Sequence, residues 1–166
     1  MKKWSIKNII KELLITLLMI FIISMGLNYI RKPDTDIQLP DIVKRDMNNQ
    51  KVVFETYGKP VVIHFWATWC PTCKLEAPNI ESMQDDVHII TIAVNSGTNE
   101  ELQKFMKDRE YTYTVINDNS GKLAKKFGVQ AYPTTFIYDG SGKLQFSEVG
   151  YSTRVGIRAR VALIND

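Results

Sequence analysis

Both cysteines of this chain stand two residues apart in the stretch HFWATWCPTCKLEAP, His64 to Pro78. The pair follows directly on the apolar run KPVVIHFW, residues 59–66. A structural crosslink gains most by closing a long loop, and this one would close almost none. A complete zinc site asks for more ligands than two thiolates. The run before the cysteines comes after a Gly-Lys-Pro turn and reads as a buried central strand. Pro71 is a good first-turn residue for a helix reaching to about Asp85. The dithiol is therefore expected at a strand-to-helix junction, which points to reactive chemistry rather than a staple.

The remaining elements give an α/β fold. VHIITIAVN (87–95) reads as a second buried strand, and TNEELQKFMKDRE (98–110) as a helix with Leu102, Phe105 and Met106 on one face. YTYTVIND (111–118) alternates as a strand, and SGKLAKKFGV (120–129) is a short helix ended by Gly128. TTFIYDGSGKLQFSEVG (134–150) is a hairpin, followed by a terminal helix over 152–164 capped by Ser152. Strands separated by helices, then a hairpin and a last helix, predict a central mixed β-sheet flanked by helices. Lys74 and Glu76 read as exposed helix positions, the charges at 100–110 as a solvated face, and His88 as a strand or loop residue without a role.

The N-terminus carries the chain's basic bias. Leu13 to Ile30 is 18 residues without a charge. As a helix it would span about 27 Å, close to the hydrocarbon thickness of about 30 Å. Lys2, Lys3, Lys7 and Lys11 precede it, with Glu12 the one acid before residue 30. The whole chain has 21 basic and 18 acidic residues, so 17 of each remain beyond that point. A neutral remainder gives no clustered basic face for nucleic acid. The lysines predict a cytoplasmic segment (1–12), a transmembrane anchor (13–30) with Trp4 and Tyr29 at the interfaces, a linker (31–35) and an exported domain (36–166). RKPDTDIQLPDIVKRDMNNQ (31–50) leads into a short hairpin. The competing reading is a cleaved leader ending near Ser24-Met25-Gly26. Either way the domain is exported, into a compartment where disulfides persist.

With Cys70 at the start of a helix, the first-turn amides and the helix dipole favour its thiolate. Such sites bring a cysteine from about 8.5 to roughly 3.5–7.5. Cys70 is thus the expected nucleophile, exposed and ionised near neutrality. Cys73, nearly one turn on, is the expected resolving thiol.

The segment FWATWCPTCKLEAP resembles the active-site stretch of the thioredoxin superfamily, and GVQAYPTTFIYDGSGKL from Gly128 resembles that superfamily's later proline-and-strand segment. The wider pattern, with an inserted strand and helix at roughly 87–110, is similar to the membrane-anchored TlpA/ResA/DsbE-like branch, the copper-sensitivity suppressor ScsD type included. The resemblance covers approximately 36–164 and implies a thioredoxin-like fold. It implies that Pro133 is cis and packs against the cysteines, leaving the Tyr132 backbone open to an extended client, and that Trp69 shields the disulfide. A plain strand-start proline is the alternative at Pro133. His64 departs from the family, which carries a buried acid in this strand. It either takes a proton from Cys73 or is a hydrogen-bonded core histidine without a catalytic part.

The resemblance further implies a thiol–disulfide oxidoreductase at the inner (cytoplasmic) membrane, with its catalytic domain periplasmic. Its clients would be exported proteins with disulfides or thiols. Its expected direction is reduction, fed by a membrane electron donor of the DsbD/CcdA kind, and it implies no bound cofactor. The rival reading is a thioredoxin-fold copper-binding protein or metallochaperone using the same cysteines. A thiol peroxidase finds no motif to support it.

Overall fold

The computed structural model describes residues 11–20, 22–23 and 38–164. The chain divides into two compact units after Pro33. In the first, residues 11–20 and 22–23 are helical, with Leu13, Leu14, Ile15, Leu17 and Leu18 exposed. Among the described residues, no helix is long and apolar enough to cross a membrane. Trp4, Tyr29, the linker and residues 21 and 24–30 of the expected anchor, Ser24 to Gly26 among them, lie outside the described residues.

The second unit opens with a hairpin, β1 (Val43–Arg45) against β2 (Lys51–Val53). Five strands follow: β3 (Val61–Trp66), β4 (His88–Val94), β5 (Val115–Asp118), β6 (Thr134–Tyr138) and β7 (Leu144–Val149). They form one sheet in the order β5-β4-β3-β6-β7. β3 runs parallel to β4 and antiparallel to β6, so the sheet is mixed. Three helices connect them, α1 (Pro71–Glu81), α2 (Asn99–Lys107) and α3 (Lys122–Lys126), and α4 (Arg154–Leu163) follows the last strand.

β3 is buried along its whole length, as its unbroken apolar run requires. Its alternate side chains serve two cores. Val62 and Trp66 pack with Ile80 of α1, Leu102 and Met106 of α2, and Ile157 and Val161 of α4. Val61, Ile63 and Phe65 pack with Leu123 of α3, Phe136, Tyr138 and the hairpin residues Ile42 and Phe54. Helices thus cover both faces, as the sequence pattern predicts.

Three local expectations are corrected. The strand expected over 111–118 is confined to Val115–Asp118. Upstream, the Thr112 N–H donates to Glu81 Oε2 at 2.8 Å and its hydroxyl to Oε1 at 2.7 Å, while Tyr111 stacks on Tyr113. The Thr112 amide is therefore committed to α1 rather than to a ladder, and the Tyr111 amide turns back to the Met106 carbonyl at 3.0 Å. Secondly, α1 stops at Glu81 and passes into turns before Asp85. Thirdly, Thr153 rather than Ser152 caps α4, its hydroxyl accepting from Gly156 N at 3.1 Å. Ser152 is turned inward.

Candidate active site

The end of β3 delivers the chain through Ala67, Thr68 and Trp69 to Cys70, the N-cap of α1. Thr68 N donates to Ser96 Oγ at 3.0 Å and Trp69 Nε1 to the Asn95 carbonyl at 3.1 Å, so the loop after β4 holds the approach to the dithiol. Cys70 plays the part that serine or aspartate plays at most helix starts: its Sγ accepts the Cys73 N–H at 3.1 Å. The same amide would stabilise a thiolate there, together with the positive end of the eleven-residue helix. Cys70 and Cys73 are joined as a disulfide with their Cα atoms 5.3 Å apart. Neither is left as a free thiol.

The expectation that Cys70 is exposed is corrected. In this disulfide form Cys70 is 4% and Cys73 2% accessible. Trp69, 56% accessible, sits beside the pair and meets Tyr132 edge-on at 5.7 Å. The bond between Tyr132 and Pro133 is cis, and Pro133 is buried. The Tyr132 carbonyl oxygen lies 3.6 Å from Cys70 Sγ, a contact that becomes a hydrogen bond only when the sulfur carries a proton. Gly150 N donates to the Pro133 carbonyl at 2.8 Å, tying this segment to the end of β7. Cys70, Cys73, Trp69, Tyr132 and Pro133 thus come together at one end of the sheet.

His64 shares its face of β3 with Val62 and Trp66, the face that also meets the cysteines. Its Nδ1 lies 3.0 Å from Thr135 Oγ1 on β6. Burial lowers its pKa from 6.5 to about 3, so the ring is neutral at any ordinary pH. A base that weak is poorly matched to a thiol that titrates near 8.5.

Glu76, read as exposed, is fully buried. It follows Cys73 by three residues and shares the inward face of α1 with Cys73, Ala77 and Ile80. Burial raises its pKa from 4.5 to about 8; the Ser152 N–H at 3.2 Å opposes the shift and the Glu148 charge adds to it. Among the described residues, Glu76 Oε2 has no hydrogen-bond partner. The spacing of Cys73, Ala77 and Ile80 already marked this stripe as the core face, which is the signal in the sequence that could have found Glu76. Lys74 is exposed, as read, and His88 is an exposed residue at the start of β4. Among the described residues no cluster of His, Cys, Asp and Glu could hold a metal ion.

A strand-to-helix dithiol capped by its own helix, a neighbouring cis-proline and a five-stranded mixed sheet define a thioredoxin-like thiol–disulfide oxidoreductase. The chain belongs to the AhpC/TSA family, whose profile matches residues 33–147. It is 30% identical over 132 residues to the thiol-disulfide oxidoreductase ResA of Geobacillus thermodenitrificans, covering 75% of each chain. It is 28% identical over 116 residues to the sporulation thiol-disulfide oxidoreductase A of Bacillus subtilis, covering 66% of this chain and 70% of that one. Its fold is similar to the crystal structure of a putative thiol:disulfide interchange protein DsbE from Chlorobium tepidum, with a TM-score of 0.71 at 22% identity over 80% of this chain and 99% of that one.

Proposed function

We propose that this chain is a membrane-tethered reductase of disulfides in exported proteins. The observation that carries the exchange chemistry is the Cys70–Cys73 disulfide set on the N-cap of α1, with Sγ already accepting a backbone amide. In the reduced enzyme the Cys70 thiolate attacks one sulfur of a client disulfide. The Cys70–client bond forms, the client's own bond breaks, and its second sulfur leaves as a thiolate that takes up a proton. Cys73 then loses its proton and attacks Cys70, which expels the client's first sulfur. Two electrons have passed to the client, and the enzyme is left in the disulfide form. A membrane dithiol donor of the DsbD/CcdA kind would restore the dithiol by the same two exchanges.

Glu76 is better matched than His64 to receive the Cys73 proton. A carboxyl titrating at about 8 lies close to a thiol, whereas an imidazole at about 3 lies far below it. Trp69, Tyr132 and Pro133 line the approach to Cys70 and would contact the client. The uncharged run Leu13–Ile30 behind four lysines supports an anchor with the N-terminus in the cytoplasm and the domain in the periplasm.

Two measurements test this reading. A redox titration of the Cys70–Cys73 couple near the thioredoxin value of about −270 mV supports a reductase, and one near about −120 mV reverses the direction. Membranes washed with alkaline carbonate should retain the full chain; its appearance in the soluble fraction would refute the tether.

A further inference from the structure

Behind Glu76 runs a line of polar contacts that thiol–disulfide exchange does not itself require. Ser152 uses its two donors on two different carboxylates. Its N–H reaches Glu76 Oε1 at 3.2 Å, and its hydroxyl reaches Glu148 Oε2 at 3.0 Å. The other oxygen of Glu148 is ion-paired with Arg160 Nη2, in a pair that is only 26% and 32% exposed at its two side chains. Arg160 Nη1 also donates to the Gly156 carbonyl at 2.8 Å, which holds the guanidinium against its own helix. Three elements are therefore linked through one buried serine: Glu76 of α1 and Glu148 of β7 meet it directly, and Arg160 of α4 reaches it through Glu148. The inward turn of Ser152, which costs it the capping position expected of it, is what makes this connection.

We propose that Arg160, acting through Glu148 and Ser152, is a positioning residue that sets how firmly Glu76 holds a proton one helical turn from Cys73, and thereby the pH at which Cys73 resolves a mixed disulfide. This rests on the exchange reading above. The groups that bear on Glu76 are Cys73 on its own helix, Glu148 from β7 and, through Glu148, Arg160 from α4. Two carboxylates sharing one serine repel when both are ionised. The Arg160 guanidinium offsets the Glu148 charge, and so limits how far that charge makes Glu76 retain its proton. Removing Arg160 and neutralising Glu148 must then act in opposite directions. A merely structural role would not produce that sign pattern.

The test follows Cys73 resolving a preformed mixed disulfide between Cys70 and 2-nitro-5-thiobenzoate, by stopped flow on the full chain across pH 5–10. Cys73 attacks Cys70, and the nitrothiobenzoate leaves as its coloured anion. In Arg160→Gln the inflection of the rate profile should move up by about one pH unit, a roughly tenfold loss of ionised Glu76 on the acid side. In Glu148→Gln it should move down. Arg160→Lys, which keeps the charge, should stay near the wild type, and Glu76→Gln should lose the Glu76 inflection and keep only the one that ionisation of the Cys73 thiol gives. Coincident inflections, or shifts of the same sign in Arg160→Gln and Glu148→Gln, overturn the proposal while leaving the exchange reading intact. If Arg160→Gln fails to fold, Arg160→Met, which keeps the aliphatic stem and drops the charge, takes its place in the comparison and should likewise move the inflection up. A wild-type chain that releases no nitrothiobenzoate overturns the exchange reading and this proposal with it.

Discussion

Replacing Glu76 with glutamine is expected to remove a pH dependence from the stability of the thioredoxin-like domain. The folded carboxyl keeps its proton up to about 8, whereas the unfolded chain releases it near 4.5. Between those values the folded state binds more protons, so stability falls as pH rises. The contribution is fully present below 4.5 and lost as pH climbs through about 8. The whole gap is worth on the order of 5 kcal/mol, of which about 3 kcal/mol lies between pH 5 and pH 8. His64 works the other way. Its folded value of about 3 lies below the unfolded 6.5, so stability is lost as pH falls through that window. Over the same pH range it returns roughly 2 kcal/mol. The wild-type protein should therefore show only a shallow net decline, and the variant is needed to separate the two. The assay is urea unfolding of the oxidised full chain in detergent at pH 5, 6.5 and 8. Glutamine leaves an unpaired amide where Glu76 Oε2 stood, a cost that does not change with pH and cancels in the comparison. Relative to wild type, Glu76→Gln should gain about 3 kcal/mol between pH 5 and pH 8, a shift of about 1–3 M in urea midpoint. A difference between the two proteins that stays constant across the range would refute the argument.

The other expectations concern separate parts of the domain. Cys73→Ser should leave Cys70 able to attack but unable to release, so a Cys70–client disulfide accumulates on non-reducing gels; release at the wild-type rate would contradict the assignment. Relative to wild type, His64→Gln should gain roughly 2 kcal/mol as pH falls from 7 to 5, because charging of the unfolded imidazole no longer draws on the folded state; a difference constant over that range in the same unfolding curves would contradict it. Thr98→Ala should cost about 1 kcal/mol. It removes the hydroxyl that accepts from Glu101 N at 3.3 Å, while the return bond from Thr98 N to Glu101 Oε2 at 2.8 Å survives.

What could be read in the sequence was whatever a local pattern encodes. An apolar run with no polar interruption other than His64 fits a strand buried on both faces, and β3 is that strand. Pro71 behind a cysteine suits the first turn of a helix, and α1 opens there. Gly128 ends α3 with a φ of 66°, a backbone that glycine adopts freely. The failures share a different cause. Tyr111 to Thr114 alternates like a strand, yet Glu81 on α1 takes the Thr112 N–H and hydroxyl, and nothing in the segment itself announces that partner. Ser152 reads as a helix cap because serine caps helices, but a carboxylate 76 residues earlier takes its amide.

Glu76 joins both kinds of case, and shows why charge is a poor guide to exposure at a dithiol. Its place in the stripe of Cys73, Ala77 and Ile80 was legible from the 3.6-residue period, which puts it on the inward face whatever its side chain. Its charge argued for water, because an isolated ionised carboxylate is costly to bury. Among the described residues no ion pair forms on Glu76, and the conflict is resolved by protonation: the carboxyl keeps its proton to about 8, and a neutral acid costs far less to bury than an anion. The burial that makes Glu76 look misplaced as a surface residue is the same burial that brings its titration close to that of a thiol. Position and proton affinity are thus one fact at this site, and a change that exposes the carboxyl to water should also lower the pH at which it ionises.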